Sequence, residues 1–222
     1  ALMARREDRL ADAVAAIDAC MRDAEALIAG GLHGLIIENH GDVPFSKPED
    51  IGHETAAFLS VITDRIRRAL GVPLGINVLA NAPIPAIATA VAGGASFVRV
   101  NQWANAYVAN EGFMEGRAAE AMRYRAALRA ENVRIFADSH VKHGAHAITG
   151  DRTIEELTRD LAFFDADCVI ATGNRTGDSA ATEEMSQICA RVTSMTTFSS
   201  TSPKSKAAEK SSAEAKNSCP WM

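Results

Sequence analysis

The sequence predicts an α/β fold built on a parallel sheet, because three patterns coincide. Five short apolar runs, "GLIIEN", "LGINVLAN" (74–81), "SFVRVNQ" (96–102), "VRIFADSH" (133–140) and "DCVIATGN" (167–174), each end in polar residues. Helical stretches separate them. Apolar strands alternating with amphipathic helices call for a sheet buried under helices, hence βα units joined by right-handed crossovers. The third pattern is an internal echo. "GGLHGLIIEN" and "GGASFVRVN" both place Gly-Gly a few residues before a strand that ends in Asn, as in a repeated (β/α) barrel. A doubly wound sheet is the competing topology. No G-x-G-x-x-G follows any strand, so the main signal of a dinucleotide site is absent.

Taken in chain order, Leu10, Val14, Ile17, Met21, Ala24 and Ile28 recur at helical spacing without proline, and Gly30-Gly31 stop them. This predicts one helix over 5–29. The first strand, "GLIIEN", follows it. "ENHGDVPF" (38–45) and "PFSKPED" then make an irregular connection, either a lid or a plain surface loop. His53–Leu70 carries Phe58, Val61, Ile62 and Ile66 on one side of a helix. Pro85–Ala92 is the helix after the second strand. Beyond the third, Asn110-Glu111-Gly112 and Glu115-Gly116-Arg117-Ala118 read as turn and helix-start residues, with Arg117 a possible anion binder, and lead into a helix over Gly116–Ala130. Thr153–Phe164 is the helix before the fifth strand. Past about residue 193, "TSMTTFSSTSPKSKAAEKSSAEAKNSCPWM" lacks apolar periodicity and predicts a disordered tail. The expected division is a barrel-type domain over 1–192 and a tail over 193–222, with the ordered core ending between 178 and 193.

Composition removes several classes of function. With 47% hydrophobic and 23% charged residues, the 222-residue chain reads as one globular domain. A net charge of −5 offers no attraction to nucleic acid or anionic lipid. Cys20, Cys168, Cys189 and Cys219 stand far apart with no C-x-x-C pair, against both a structural zinc site and a disulfide framework. A reducing compartment, the cytoplasm, is expected. No run approaches eighteen apolar residues, so no transmembrane segment is predicted. The opening "ALMARREDRL" is not a secretory signal, and without Met at position 1 the natural start is expected upstream.

In parallel α/β folds the chemistry gathers outside the carboxyl ends of the strands. Here those ends supply Glu38, Asn39, His40 and Asp42; Asn77 and Asn81; Arg99 and Asn101; Asp138, His140 and Lys142; and Thr172, Gly173 and Asn174. "ADSHVKHGAH" (137–146) alone reads more readily as a charged loop, with Asp138 paired to Lys142 or Arg99. Five polar strand ends at one rim shift the reading toward a small-molecule site. Asp138 and His140 are its candidate acid/base pair, with Glu38, Asn39, Asn77, Arg99, Asn101, Lys142, His143, Thr172 and Gly173 as ligand binders. Glu38, Asp138 and His140 form a conceivable hard-metal set, but no metal-binding spacing occurs and none is predicted. Lys142 as a Schiff-base nucleophile is disfavoured by its polar flanks. "TGNRTGD" (172–178) is either a phosphate cradle on backbone N–H groups or a tight turn. The residues identify no cofactor.

"GLIIENHGDVPF", "LGINVLAN", "FVRVNQW", "EGRAAEAMRYRAAL", "IFADSHVKH" and "ATGNRTGD" together resemble, in order and spacing, the blocks of the BtpA family, which includes SgcQ-like proteins. The resemblance covers roughly residues 10–180. It implies a TIM-type (β/α) barrel, and the family's association with photosystem I accumulation implies, as the alternative to a ligand site, a non-catalytic assembly or stability role, membrane-peripheral in place. It implies no specific reaction: a nucleoside triphosphatase assignment of SgcQ-like members finds no Walker motif here. Against the family pattern, a strand before the first helix and the last two βα units are expected but absent, which makes the barrel incomplete. Sheet edges left open in this way are expected to promote self-association.

Overall fold

The computed structural model describes residues 7–199, with side-chain surroundings for 11–193. Its elements are α1 (Glu7–Ala29), β1 (Leu35–Glu38), α2 (His53–Leu70), β2 (Leu74–Asn77), α3 (Pro83–Gly93), β3 (Phe97–Val100), the hairpin β4 (Ala106–Ala109) and β5 (Gly112–Glu115), α4 (Ala118–Ala127), β6 (Arg134–Asp138), α5 (Ile154–Phe163), β7 (Cys168–Ile170) and α6 (Thr182–Ser199). The main sheet runs β1-β2-β3-β6-β7, and every pairing in it is parallel. Spatial order follows chain order. A doubly wound sheet reverses its order at a switch point; no reversal occurs among the described strands, an order consistent with a TIM-type fold.

Local chemistry accounts for the boundaries. Pro83 starts α3 two residues earlier than the expected Pro85, because a proline lacking its N–H is well placed in a first helical turn. Thr153 and Glu156 cap α5 reciprocally: the Thr153 Oγ1 accepts from the Glu156 N–H at 3.3 Å, and Glu156 accepts from the Thr153 N–H at 2.9 Å. Two departures from expectation stand out. The segment before α4 forms the β4–β5 hairpin, so that helix starts at Ala118 and ends at Ala127. Second, α6 runs through Ser199, past the boundary expected at 193, with Ile188 buried in its packing against α5. Residues 200–222, the rest of the expected tail, lie outside the described residues.

The sheet has two chemically distinct faces. Ile76, Val98 and Ile135 point to one, each essentially inaccessible, and pack under Leu59, Ile62 and Ile66 of α2 and Ile87 of α3. Alternation sends Ile36, Gly75, Phe97 and Arg134 to the other face, followed one layer up by Glu38, Asn77, Arg99 and Phe136. Gly75 makes room there: a Cβ would displace the Phe97 ring, which lies over β2 and stacks on Phe136 with centroids 4.4 Å apart. At the hairpin's base, a Cβ on Gly116 would fall 2.5 Å from the Trp103 carbonyl oxygen. Gly116→Ala must push backbone against backbone, and a loss of about 1–3 kcal/mol is expected in urea unfolding.

Candidate functional site

Because all five strands are parallel, their carboxyl ends share one edge, and Glu38, Asn77, Arg99, Asn101 and Asp138 meet there. The Arg99 guanidinium forks onto the Asp138 carboxylate, Nε to Oδ1 at 3.0 Å and Nη2 to Oδ2 at 2.9 Å. Asn101 Nδ2 donates to the same Oδ2 at 3.2 Å. The Asp138 side chain is 0% exposed and that of Arg99 only 15%. Burial pushes the Asp138 carboxyl above its ordinary range, against the opposing pull of Arg99, Asn101 and Lys142. Beside this pair, Asn77 Nδ2 donates to Glu38 at 3.1 Å. One atom of this cluster is left over: Asn101 Oδ1 is buried and accepts nothing among the described residues.

Loops close the rim. The Asn81 amide clasps the hairpin to the sheet, accepting from the Gln102 N–H at 2.8 Å and donating to the Glu115 carbonyl at 3.0 Å. Val108 and Ala145 exchange two backbone hydrogen bonds, which fixes the hairpin over the loop after β6. This swings the Tyr107 ring against His146, centroids 5.5 Å apart, and burial pushes its phenol up to about 12. The result is a cavity of about 420 Å³ walled by Glu38, Asn77, Arg99, Asn101, Tyr107 and Lys142, within the size of small-molecule sites. His143, at φ 66°, closes its edge with the ring bonded to Thr176 at 3.0 Å.

The expected site residues divide among different duties. Glu38, Asn77, Arg99, Asn101, Lys142 and His143 line this cavity, with Asp138 beneath them. Asn39 works on the scaffold: its amide accepts from the Leu79 N–H at 2.7 Å and donates to the Leu79 carbonyl at 3.0 Å. His140, Thr172 and Gly173 line a second cavity of about 540 Å³, which shares Val141 and His143 with the first. Asp138 and His140 are therefore not hydrogen-bonded to each other. The His140 ring packs on His146, centroids 4.0 Å apart, and the Thr172 hydroxyl donates to the His140 carbonyl at 2.9 Å. A surface groove of about 580 Å³ between α5 and α6, with Glu155 and Arg159 on its wall, holds none of the strand-end groups. Among the described residues no three His, Cys, Asp or Glu side chains gather as metal ligands, and no helix is long and apolar enough to cross a membrane.

Burial, and secondarily the charge of His146, hold His140 below its ordinary 6.5. Below that pH the unfolded chain takes up a proton that the folded protein resists, so His140 costs stability as pH falls from 6.5 toward its folded value. The unfolding free energy of His140→Asn, from urea curves at successive pH values, is expected to fall less steeply across that window than that of the unaltered chain.

The family model described as the BtpA family matches residues 7–216. The chain belongs to the BtpA family. It is 42% identical over 174 residues to an uncharacterized protein of Archaeoglobus fulgidus, covering 78% of this chain and 68% of that one. An uncharacterized mitochondrial protein of Caenorhabditis elegans is 37% identical over 171 residues, 75% of this chain and 62% of its own. The photosystem I biogenesis protein BtpA of Synechocystis is 36% identical over 174 residues, 77% of this chain and 58% of its own. The chain thus spans less than two thirds of the length of the latter two.

Two rim residues of this BtpA-family chain escaped the sequence reading. Tyr107 sits in "AYVANEGFME", where two short apolar runs flank Asn-Glu-Gly, a hairpin signal hidden by the four-residue strands. Glu184 lies in the first turn of α6, where "ATEEM" has the acidic start of a helix.

Proposed function

We propose that this BtpA-family chain is a (β/α)-barrel protein that binds a phosphorylated small molecule at the carboxyl rim of its strands. Asn101 Oδ1 carries the reading: a buried acceptor with no partner, on the wall of a cavity, calls for a ligand N–H or O–H. Glu38 supplies a second acceptor, while Arg99 and Lys142 supply cationic donors suited to a phosphoryl group. Asp138 is then a positioning residue that aims Arg99 at the ligand. The four separated cysteines support a place in the cytoplasm.

Thermal unfolding with ribose 5-phosphate, glucose 6-phosphate, AMP and inorganic phosphate tests this. At a hundredfold excess over Kd a true ligand adds about 2.7 kcal/mol, which is several degrees in Tm. Lys142→Ala is expected to weaken such a ligand by about 1.5–3 kcal/mol, as loss of a charge-assisted hydrogen bond does. The name of the Synechocystis relative favours a second reading, a non-catalytic assembly or stability factor. No shift with any compound, together with a partner protein that co-purifies stoichiometrically, supports that reading instead.

A further inference from the structure

We infer that the second cavity binds a small organic molecule through a primary ammonium group, with Glu184 as its anchor. This site lies behind the wall formed by Val141 and His143 and does not depend on what occupies the first cavity. Glu184 lines it from α6, and its Oε1 is buried and accepts no hydrogen bond among the described residues. Among the described residues Glu184 enters no ion pair. Burial pushes its carboxyl up, while a hydrogen bond from the Ser139 side chain to the carboxylate and the nearby charge of His146 favour the ionised form, so that only Oε1 is left without a donor. A buried carboxylate oxygen without a donor is costly; a bound cation removes that cost.

The other walls indicate which cation. The Thr172 hydroxyl spends its hydrogen on the His140 carbonyl, so its oxygen is left to accept. His146 Nε2 faces the Val141 carbonyl at 2.9 Å and so must carry its proton there. The His140 ring, packed on His146 and kept from protonating by burial, has no hydrogen bond among the described residues and can present an imidazole acceptor to the cavity. Glu184 Oε1, Thr172 Oγ1 and the His140 ring thus offer three acceptors on one cavity, matching the three N–H bonds of an ammonium. A metal ion would need a third His, Cys, Asp or Glu ligand, and none closes round the site among the described residues. Arg175 also lines this cavity, its Nη1 3.3 Å from His143 Nδ1, and it forms no ion pair with Glu184 among the described residues.

The test is an NMR titration of the full chain with ethanolamine and glucosamine, each against its neutral counterpart, ethylene glycol and glucose. The amines are expected to move the His140 and His146 ring signals saturably, and the neutral compounds to leave them unmoved. Glu184→Gln, with its fold checked by circular dichroism, is expected to weaken amine binding about tenfold, a change of about 1.4 kcal/mol. Thr172→Val is expected to weaken it as well and decides the matter where Glu184→Gln does not fold. Absence of saturable amine binding, equal binding of the neutral compounds, or undiminished affinity in the folded variants would overturn the assignment.

Discussion

Asp138→Ala is expected to cost about 3–5 kcal/mol of stability, the loss found when one partner of a buried ion pair is removed. The remaining Arg99, 15% exposed, would keep a guanidinium that no accessible pH neutralises, facing a hole where two acceptor oxygens stood. Arg99→Met is expected to cost less. The surviving Asp138 carboxyl is already pushed up by burial and can shed its charge by taking a proton. The sign follows from linkage. With its folded value raised above the unfolded one, this carboxyl imposes no penalty in acid and an increasing one as pH rises through that interval. The deficit of Arg99→Met should therefore narrow from neutral toward mildly acidic pH, whereas that of Asp138→Ala should not. In Asp138→Leu with Arg99→Met, both charges are gone and most of the stability should return. Urea unfolding of the three variants measures all of this, and an Asp138→Ala loss under about 1 kcal/mol would mean that Arg99 is not buried by this pairing.

Much of this fold was legible because its signals are local. The α2 helix matches the expected range at both ends, since its apolar side is periodic and Gly71, at φ 64°, stops it. Parallel strand order was legible too, from apolar runs alternating with helices. What failed was weakly patterned. The four-residue strands of the hairpin bury only the cross-strand pair Tyr107 and Met114 and leave the neighbouring pair Val108 and Phe113 exposed, so alternation barely registers. In α6 only Ile188 is fully buried among its described side chains, too little apolar periodicity to separate a helix from the Ser/Thr-rich sequence after it.

For the site, strand-end position was informative about place and uninformative about duty. Asn39 and Asn101 look alike in sequence, each polar at the close of an apolar run. Asn39 spends its amide on the backbone of Leu79, while Asn101 keeps a buried acceptor facing the cavity. Only the loops that each strand feeds separate those outcomes. Asp138 and His140 alternate onto one face of an extended strand, yet β6 ends at Asp138 and the chain turns, sending His140 toward His146 and α6. Period-two reasoning does not survive past a strand's last residue.

Self-association is the second large effect expected. β1 and β7 are the outer strands of the main sheet, each with one neighbour among the described strands. Unpaired N–H and C=O groups on such strands are templates for another chain. The face away from α2 and α3 adds apolar surface to those edges: Ile36 is 43% exposed, and the stacked Phe97 and Phe136 and the β7 residues Cys168 and Ile170 are only half-buried. A stable association needs roughly 1,000 Å² of buried surface or more, and removal of apolar side chains such as these from water is the main favourable term in such contacts. Sedimentation of the isolated 23.6 kDa chain should therefore show species heavier than a monomer. Ile36→Lys places a charge on the outer strand without touching Glu38, Arg99 or the α2-covered core, and should shift the population toward monomer while leaving the helical circular dichroism intact. A single cooperatively melting monomer in the wild type would mean that this face is covered within the chain itself, and the apolar row from Ile36 to Phe136 would then be interior packing rather than an interface.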